Sequence, residues 1–135
     1  MANKIYPKYK EALLGGLADI SLTAGNVKVI LVDLADYTYS DAHSFLTSVG
    51  APARVATSAN VAGYTVADGT FDCDDITWSS VTGDVSEAII YYVDTGTEGT
   101  SRLVYFNDTN VTNLPVTPNG GDITINHNVS GIFTI

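Results

Sequence analysis

Four carboxylates, Asp68, Asp72, Asp74 and Asp75, fall within eight residues. Oxygen-rich runs of this kind can hold a calcium ion. The spacing does not match the twelve-residue calcium loop, because the mid-loop glycine and the terminal glutamate are missing. On a strand, Asp72 and Asp74 would face outward while Phe71 and Cys73 face inward, since the side-chain period is two. The expected role is a solvated edge, where charge also deters stray strand pairing. Asp72, Asp74 and Asp75 remain weak metal candidates, and no metal or cofactor is expected. Ser40, Asp41, His43 and Ser44 hold the residue types of a nucleophilic triad, but proximity in sequence says little about triad geometry. No Gly-x-Ser-x-Gly elbow occurs. The glycine pairs Gly15-Gly16 and Gly120-Gly121, and Gly63, lie in neither a Walker nor a dinucleotide pattern. His127, at an apolar parity position, reads as a core or rim histidine. Cys73, the one cysteine, excludes an intrachain disulfide and reads as a small buried hydrophobe.

Charge is informative by its distribution. The 135 residues carry a formal net charge of -9. Residues 1–28 hold four lysines against two acids, whereas residues 29–135 hold two arginines against thirteen acids. A body this acidic repels phosphate, so nucleic acid is not an expected partner. The basic N-terminal segment offers a docking surface for an acidic partner. If that segment is an appendage, deleting residues 1–10 should abolish docking and leave the body folded. Eight tyrosines on a weakly charged chain suit protein–protein contact as well as core packing; Tyr37, Tyr39, Tyr64, Tyr91, Tyr92 and Tyr105 lie in or beside strands. The interface candidates are Lys4, Tyr6, Lys8, Lys10, Tyr37 and Tyr39.

The elements that must position these residues are mostly strands. The pattern over 6–18 predicts the one helix, with Pro7 in its first turn and Tyr9, Leu13 and Leu17 forming an apolar stripe beside Ala12 and Leu14. It reads either as a cover for a sheet edge or face, or as a docking arm. Residues 27–33 and 86–93 are apolar on both faces and predict strands covered on both sides. Residues 34–52 form a long connection with a helical turn near Ser44-Phe45-Leu46. Further strands are expected at 54–56, 61–66, 102–106, 123–127 and 131–135. Asp68-Gly69 is a hairpin turn signal. The switch of inward parity from Phe71 and Cys73 to Ile76 and Trp78 demands a bulge or bend at Asp74-Asp75. The sum is one domain over 1–135, with an N-terminal arm and helix (1–22) and a β-rich body (23–135). Six to eight strands predict a mainly β fold, a β-sandwich or partly rolled antiparallel sheet with one N-terminal α-helix, alternatively labelled α+β.

The opening MANKIYPKYK lacks the apolar run of a signal peptide, and the longest apolar run is far shorter than a membrane span. A soluble protein made in the cytoplasm, with no membrane partner, is expected. The Asn-x-Ser/Thr triplets at Asn107, Asn110 and Asn128 are then incidental to a chain rich in Asn and Thr.

Several blocks, in order along nearly the whole chain, carry a resemblance. They are Lys10-Glu11-Ala12-Leu13-Leu14, VKVILVDLADYTYS (27–40), ARVATSANVAGYTVADGTFDCDDITWSSV (53–81), IIYYVDTG (89–96), SRLVYF (101–106) and, most distinctive, LPVTPNGGDITI (114–125). Together they resemble small virion structural proteins of tailed bacteriophages. The likeness is one of framework and includes no catalytic motif. It implies a non-enzymatic protein of the phage particle. Within that class it implies a head decoration or cement protein that braces contacts between major capsid subunits. The implied partners are the major capsid protein and further copies of the chain, a trimer being one form considered. The alternative is a tail, neck or fibre-associated component, including a receptor- or glycan-binding module. An enzyme is the third and weakest reading.

Overall fold

The computed structural model describes residues 3–18, 20–109, 111–127 and 130–135. Two of the glycosylation-like triplets start at Asn110 and Asn128, outside the described residues. The fold is mainly β with one N-terminal helix: ten antiparallel strands among the described residues, more than the six to eight expected. The extra strands are only two or three residues long, too short for a periodic pattern to reveal them.

A five-stranded sheet forms the centre, in the order β1 (Lys4–Ile5), β8 (Arg102–Asn107), β7 (Ala88–Val93), β2 (Val27–Val32), β3 (Arg54–Thr57). A three-stranded sheet runs β10 (Phe133–Thr134), β5 (Thr70–Asp72), β4 (Thr65–Ala67), and β6 (Ile76–Trp78) pairs with β9 (Ile123–Ile125). Every residue of β7 is buried, and so is all of β2 except half-buried Lys28. Their patterning predicted cover on both faces, and ring contacts show what supplies it. On one face Tyr105 meets Phe133 of the three-stranded sheet at 4.8 Å, and the Trp78 indole N–H donates to the Val29 carbonyl at 3.3 Å. On the other face Phe106 packs against Tyr37 and Tyr39 at 6.2 and 5.2 Å. The long 34–52 connection is therefore the second cover of the central sheet, and its 3-10 turns fall at Leu46–Ser48 and Ala51–Ala53.

One strand boundary differs from the expectation, and two turn signals hold. The 61–66 strand is displaced to Thr65–Ala67, because Gly63 takes φ +62° and breaks the extended run. The hairpin turn at Asp68-Gly69 is present, with φ 51° and 77°; two positive φ values match the twist of the flanking strands. The parity switch at Asp74-Asp75 is where the chain leaves β5 for β6 in a different sheet.

The helix α1 spans Pro7–Leu14 and stops at Gly15-Gly16, shorter than the 6–18 expected. Its stripe is narrower too. Tyr9 and Ala12 are buried, but Leu13, Leu14 and Leu17 are 39%, 90% and 53% exposed. Residues 4–9 are not an appendage. β1 pairs with β8 in the register Lys4↔Phe106 and Ile5↔Tyr105, and the Tyr6 N–H donates to the Val104 carbonyl at 2.9 Å. The remaining edge of β8 is taken by the long connection, through Leu103 N–H to the Ser44 carbonyl and Leu46 N–H to the Ser101 carbonyl. Two segments nearly forty residues apart thus share one strand edge. No helix among the described residues is long and apolar enough to cross a membrane.

Candidate interface around the N-terminal helix

Two of the six interface candidates belong to the core. Tyr6 and Tyr37 are 0% and 4% exposed, and their hydroxyls lie 2.8 Å apart. The Tyr37 hydroxyl is also 2.8 Å from His43 Nδ1. Burial raises both phenols, that of Tyr37 to about 12, and burial lowers His43, so this chain of polar groups is neutral at pH 7. Tyrosine satisfies a buried hydroxyl this way while filling core volume with its ring. In sequence, a tyrosine in an irregular loop looked like contact surface; the loop's role as a sheet cover was not visible there.

Tyr39 is half-buried and bridges core and surface. Its ring packs on Tyr6 at 5.1 Å, Lys4 Nζ lies 5.7 Å from its centroid, and its hydroxyl donates to Asp41 Oδ1 at 2.7 Å. Lys4 Nζ reaches the same carboxylate at 3.3 Å. The Tyr39 hydrogen bond, then Lys4, hold the Asp41 carboxyl below its usual range. Lys8 pairs with Glu11 at 2.9 Å along the helix. Lys10 is exposed and makes no ion pair among the described residues.

Arg102 joins this group, which the sequence reading did not foresee. It comes from β8, and its guanidinium donates to the Lys8 carbonyl at 3.3 Å and stacks over Phe45 at 4.6 Å. Its Nε is buried without a hydrogen-bond partner among the described residues. The only available sequence signal was that SRLVYF reads as a strand; which segment borders it depends on pairing across ninety residues. Four of the six cations therefore gather around α1 and β1, where Lys4 pairs with Asp41 and Lys8 with Glu11. The other two are neutralised elsewhere: Lys28 by Asp94 at 3.0 Å and Arg54 by Glu98 at 2.6 Å. Arg54 holds Glu98 below its ordinary range.

Two of the three weak metal candidates accept a backbone hydrogen bond. Asp72 Oδ1 accepts the Cys73 N–H at 2.9 Å and Asp75 Oδ1 accepts the His127 N–H at 2.8 Å. Asp74 is exposed beside Gly63. Among the described residues the acidic side chains that converge as a trio are instead Asp33, Asp36 and Asp84, with oxygens within 4.8 Å of one another. Around His43 the triad residue types are dispersed. His43 binds Tyr37, Asp41 binds Tyr39 and Lys4, and Ser40 Oγ accepts the Ala42 N–H at 3.2 Å.

An apolar groove of about 470 Å³ opens beside α1, walled by Leu13, Leu17, Val66, Phe71, Phe133 and Ile135. A second cleft of about 390 Å³ adjoins it, lined by Asn3, Lys4 and Lys10 with Tyr105, and Phe133 is common to both. No protein-family model matches the chain, and no curated protein sequence matches it.

Proposed function

We propose that the chain is a non-enzymatic structural protein of a tailed-phage particle, a decoration or cement protein that braces contacts between major capsid subunits. The resemblance of its sequence blocks supplies the particle. One structural observation supports a docking role within it: four of the six cations lie together around α1 and β1, next to exposed leucines. The rest of the surface is acidic and suits solvent. A protein repeated over a shell binds by avidity, so each contact can be modest. Lys4, Lys8, Lys10 and Arg102 would face an acidic strip of the major capsid protein, with nucleic acid and membrane playing no part.

Peptide counting by mass spectrometry on purified particles tests this reading. On the order of hundreds of copies per particle is the expected result, because a shell repeats its surface lattice. A count on the order of a dozen, the symmetry of a neck or tail ring, would move the protein out of the head. Absence from the particle overturns the reading.

A further inference from the structure

The groove beside α1 holds an unusual combination for a chain of net charge -9: none of its lining side chains is charged. Leu17, Val66 and Ile135 on its walls are 53%, 53% and 55% exposed. Large side chains left this open are characteristic of interaction sites rather than of a solvated surface. The neighbouring cleft differs in kind. It carries Lys4 and Lys10, and Lys10 has no ion-pair partner among the described residues. Phe133 forms the ridge between the two. That ridge belongs to β10, which pairs with β5 and with no other strand among the described residues. β1, which lines the same cleft through Lys4 and Ile5, likewise pairs only with β8. Two unextended sheet edges therefore border a trough that is apolar at one end and cationic at the other.

We infer that this trough is a docking site for an extended acidic segment of a partner protein, with an apolar side chain in the Leu17–Phe133 groove and carboxylates beside Lys4 and Lys10. Charge complementarity selects the occupant. An aliphatic or aromatic anchor is desolvated among Leu13, Leu17 and Phe71, while acidic residues next to it meet Lys10, which makes no close ion pair among the described residues. The free edges of β10 and β1 add main-chain hydrogen bonding, the mode by which extended peptides join a sheet. A lipid or fatty acid would match the apolar end and one cation but could not use the strand edges. The inference rests on the proposed particle role only for its identification of the segment's owner, a subunit of the shell.

The test needs no particle. The full chain is titrated with a capped synthetic peptide of about eight residues, Leu-Phe-Val followed by aspartates, and backbone amide shifts are followed by NMR. A counterpart with lysines replacing the aspartates serves as the charge control. Saturable shifts around Leu17, Lys10 and Phe133 are expected below about 1 mM peptide. Leu17→Asp and Lys10→Glu, both at exposed positions, should each weaken binding by at least about tenfold. Leu14→Asp, exposed but outside both clefts, should leave binding unchanged. Equal binding of the lysine peptide, or no saturable shift with the aspartate peptide, overturns the inference. So does sedimentation showing that a second copy already covers the trough. Failure here with the chain counted in hundreds on particles removes the site and leaves the particle role. Peptide binding by a chain absent from particles does the reverse.

Discussion

The Tyr91 hydroxyl lies 2.7 Å from His127 Nε2, and this contact ties the central sheet to the chain just beyond β9. The opposite ring nitrogen decides its direction. His127 Nδ1 is 3.1 Å from the Cys73 carbonyl oxygen, which can only accept. Nδ1 therefore carries the hydrogen, and Nε2 accepts from the tyrosine. Tyr91 is wholly buried, and burial raises its phenol, keeping it a donor. His127 thus stands at the rim of the core, and the alternation of Ile123, Ile125 and His127 had indicated that position.

Tyr91→Phe removes the donor and keeps the ring. The expected cost is about 1 kcal/mol, the net worth of one internal hydrogen bond, partly recovered because His127 is half-exposed and water can reach it. Thermal unfolding followed by circular dichroism should show a midpoint a few degrees lower. An unchanged midpoint would mean that the Tyr91–His127 bond contributes nothing.

Alkaline pH should unfold this protein through its tyrosines. Burial raises Tyr9, Tyr37 and Tyr92 from the ordinary 10 to about 12, and raises Tyr6 and Tyr91 further. The unfolded chain releases these protons near pH 10 while the folded chain holds them. Their contribution is therefore complete below pH 10 and is lost as pH climbs toward 12. Urea midpoints should be level up to about pH 9 and fall steeply above 10. Phenolate absorbance from the buried tyrosines should rise in step with loss of the fold rather than before it. Full ionisation of all eight tyrosines in a chain that stays folded would contradict this burial.

How far the sequence could be read depended on element length. β7 shows six unbroken apolar residues and β2 five interrupted only by Lys28, and both lie within a residue or two of the expected 86–93 and 27–33. β10 lies within the strand expected at 131–135, whereas β1 has two residues that nothing local marks; a pairing partner a hundred positions away in β8 creates it. The site follows the same division. Lys4, Lys8 and Lys10 were legible because charge clusters along the chain. Arg102 was not, because it arrives through strand pairing. Tyr6 and Tyr37 are expected at the interface and lie in the core, because a tyrosine's dual character hides burial until its neighbours are known.

The basic segment cannot be removed without loss of the fold. Tyr6 is fully buried, Tyr9 is 2% exposed and its hydroxyl donates to the Ile20 carbonyl at 3.1 Å, and β1 covers the edge of β8. Deleting residues 1–10 should therefore abolish cooperative unfolding, since it removes two large core side chains worth about 3–5 kcal/mol each. This replaces the expectation that the body would survive the deletion. Lys4→Glu, Lys8→Glu and Lys10→Glu combined should instead keep the far-ultraviolet spectrum and leave stability within about 1 kcal/mol, because these are surface pairs. If the deletion variant retains a sharp thermal transition, the placement of Tyr6 and Tyr9 is wrong.

The bend between the sheets is packed tightly against Gly63. Asp74 N–H donates to the Ala62 carbonyl at 2.9 Å, which lays the β5–β6 link along residues 62 and 63. Gly63 is held at φ +62°, and a Cβ added there would run into the Asp74 carboxylate. Gly63→Ala should therefore carry two costs: about 1–2 kcal/mol for a left-handed non-glycine residue, and a steric part set by Asp74. The two separate in a double-mutant cycle with Asp74→Ala, which opens the space and keeps the backbone bond. In that background the cost of Gly63→Ala should shrink to the conformational part alone. Equal costs in both backgrounds would show that the Asp74 side chain swings freely into solvent, and that glycine at position 63 answers to backbone geometry only.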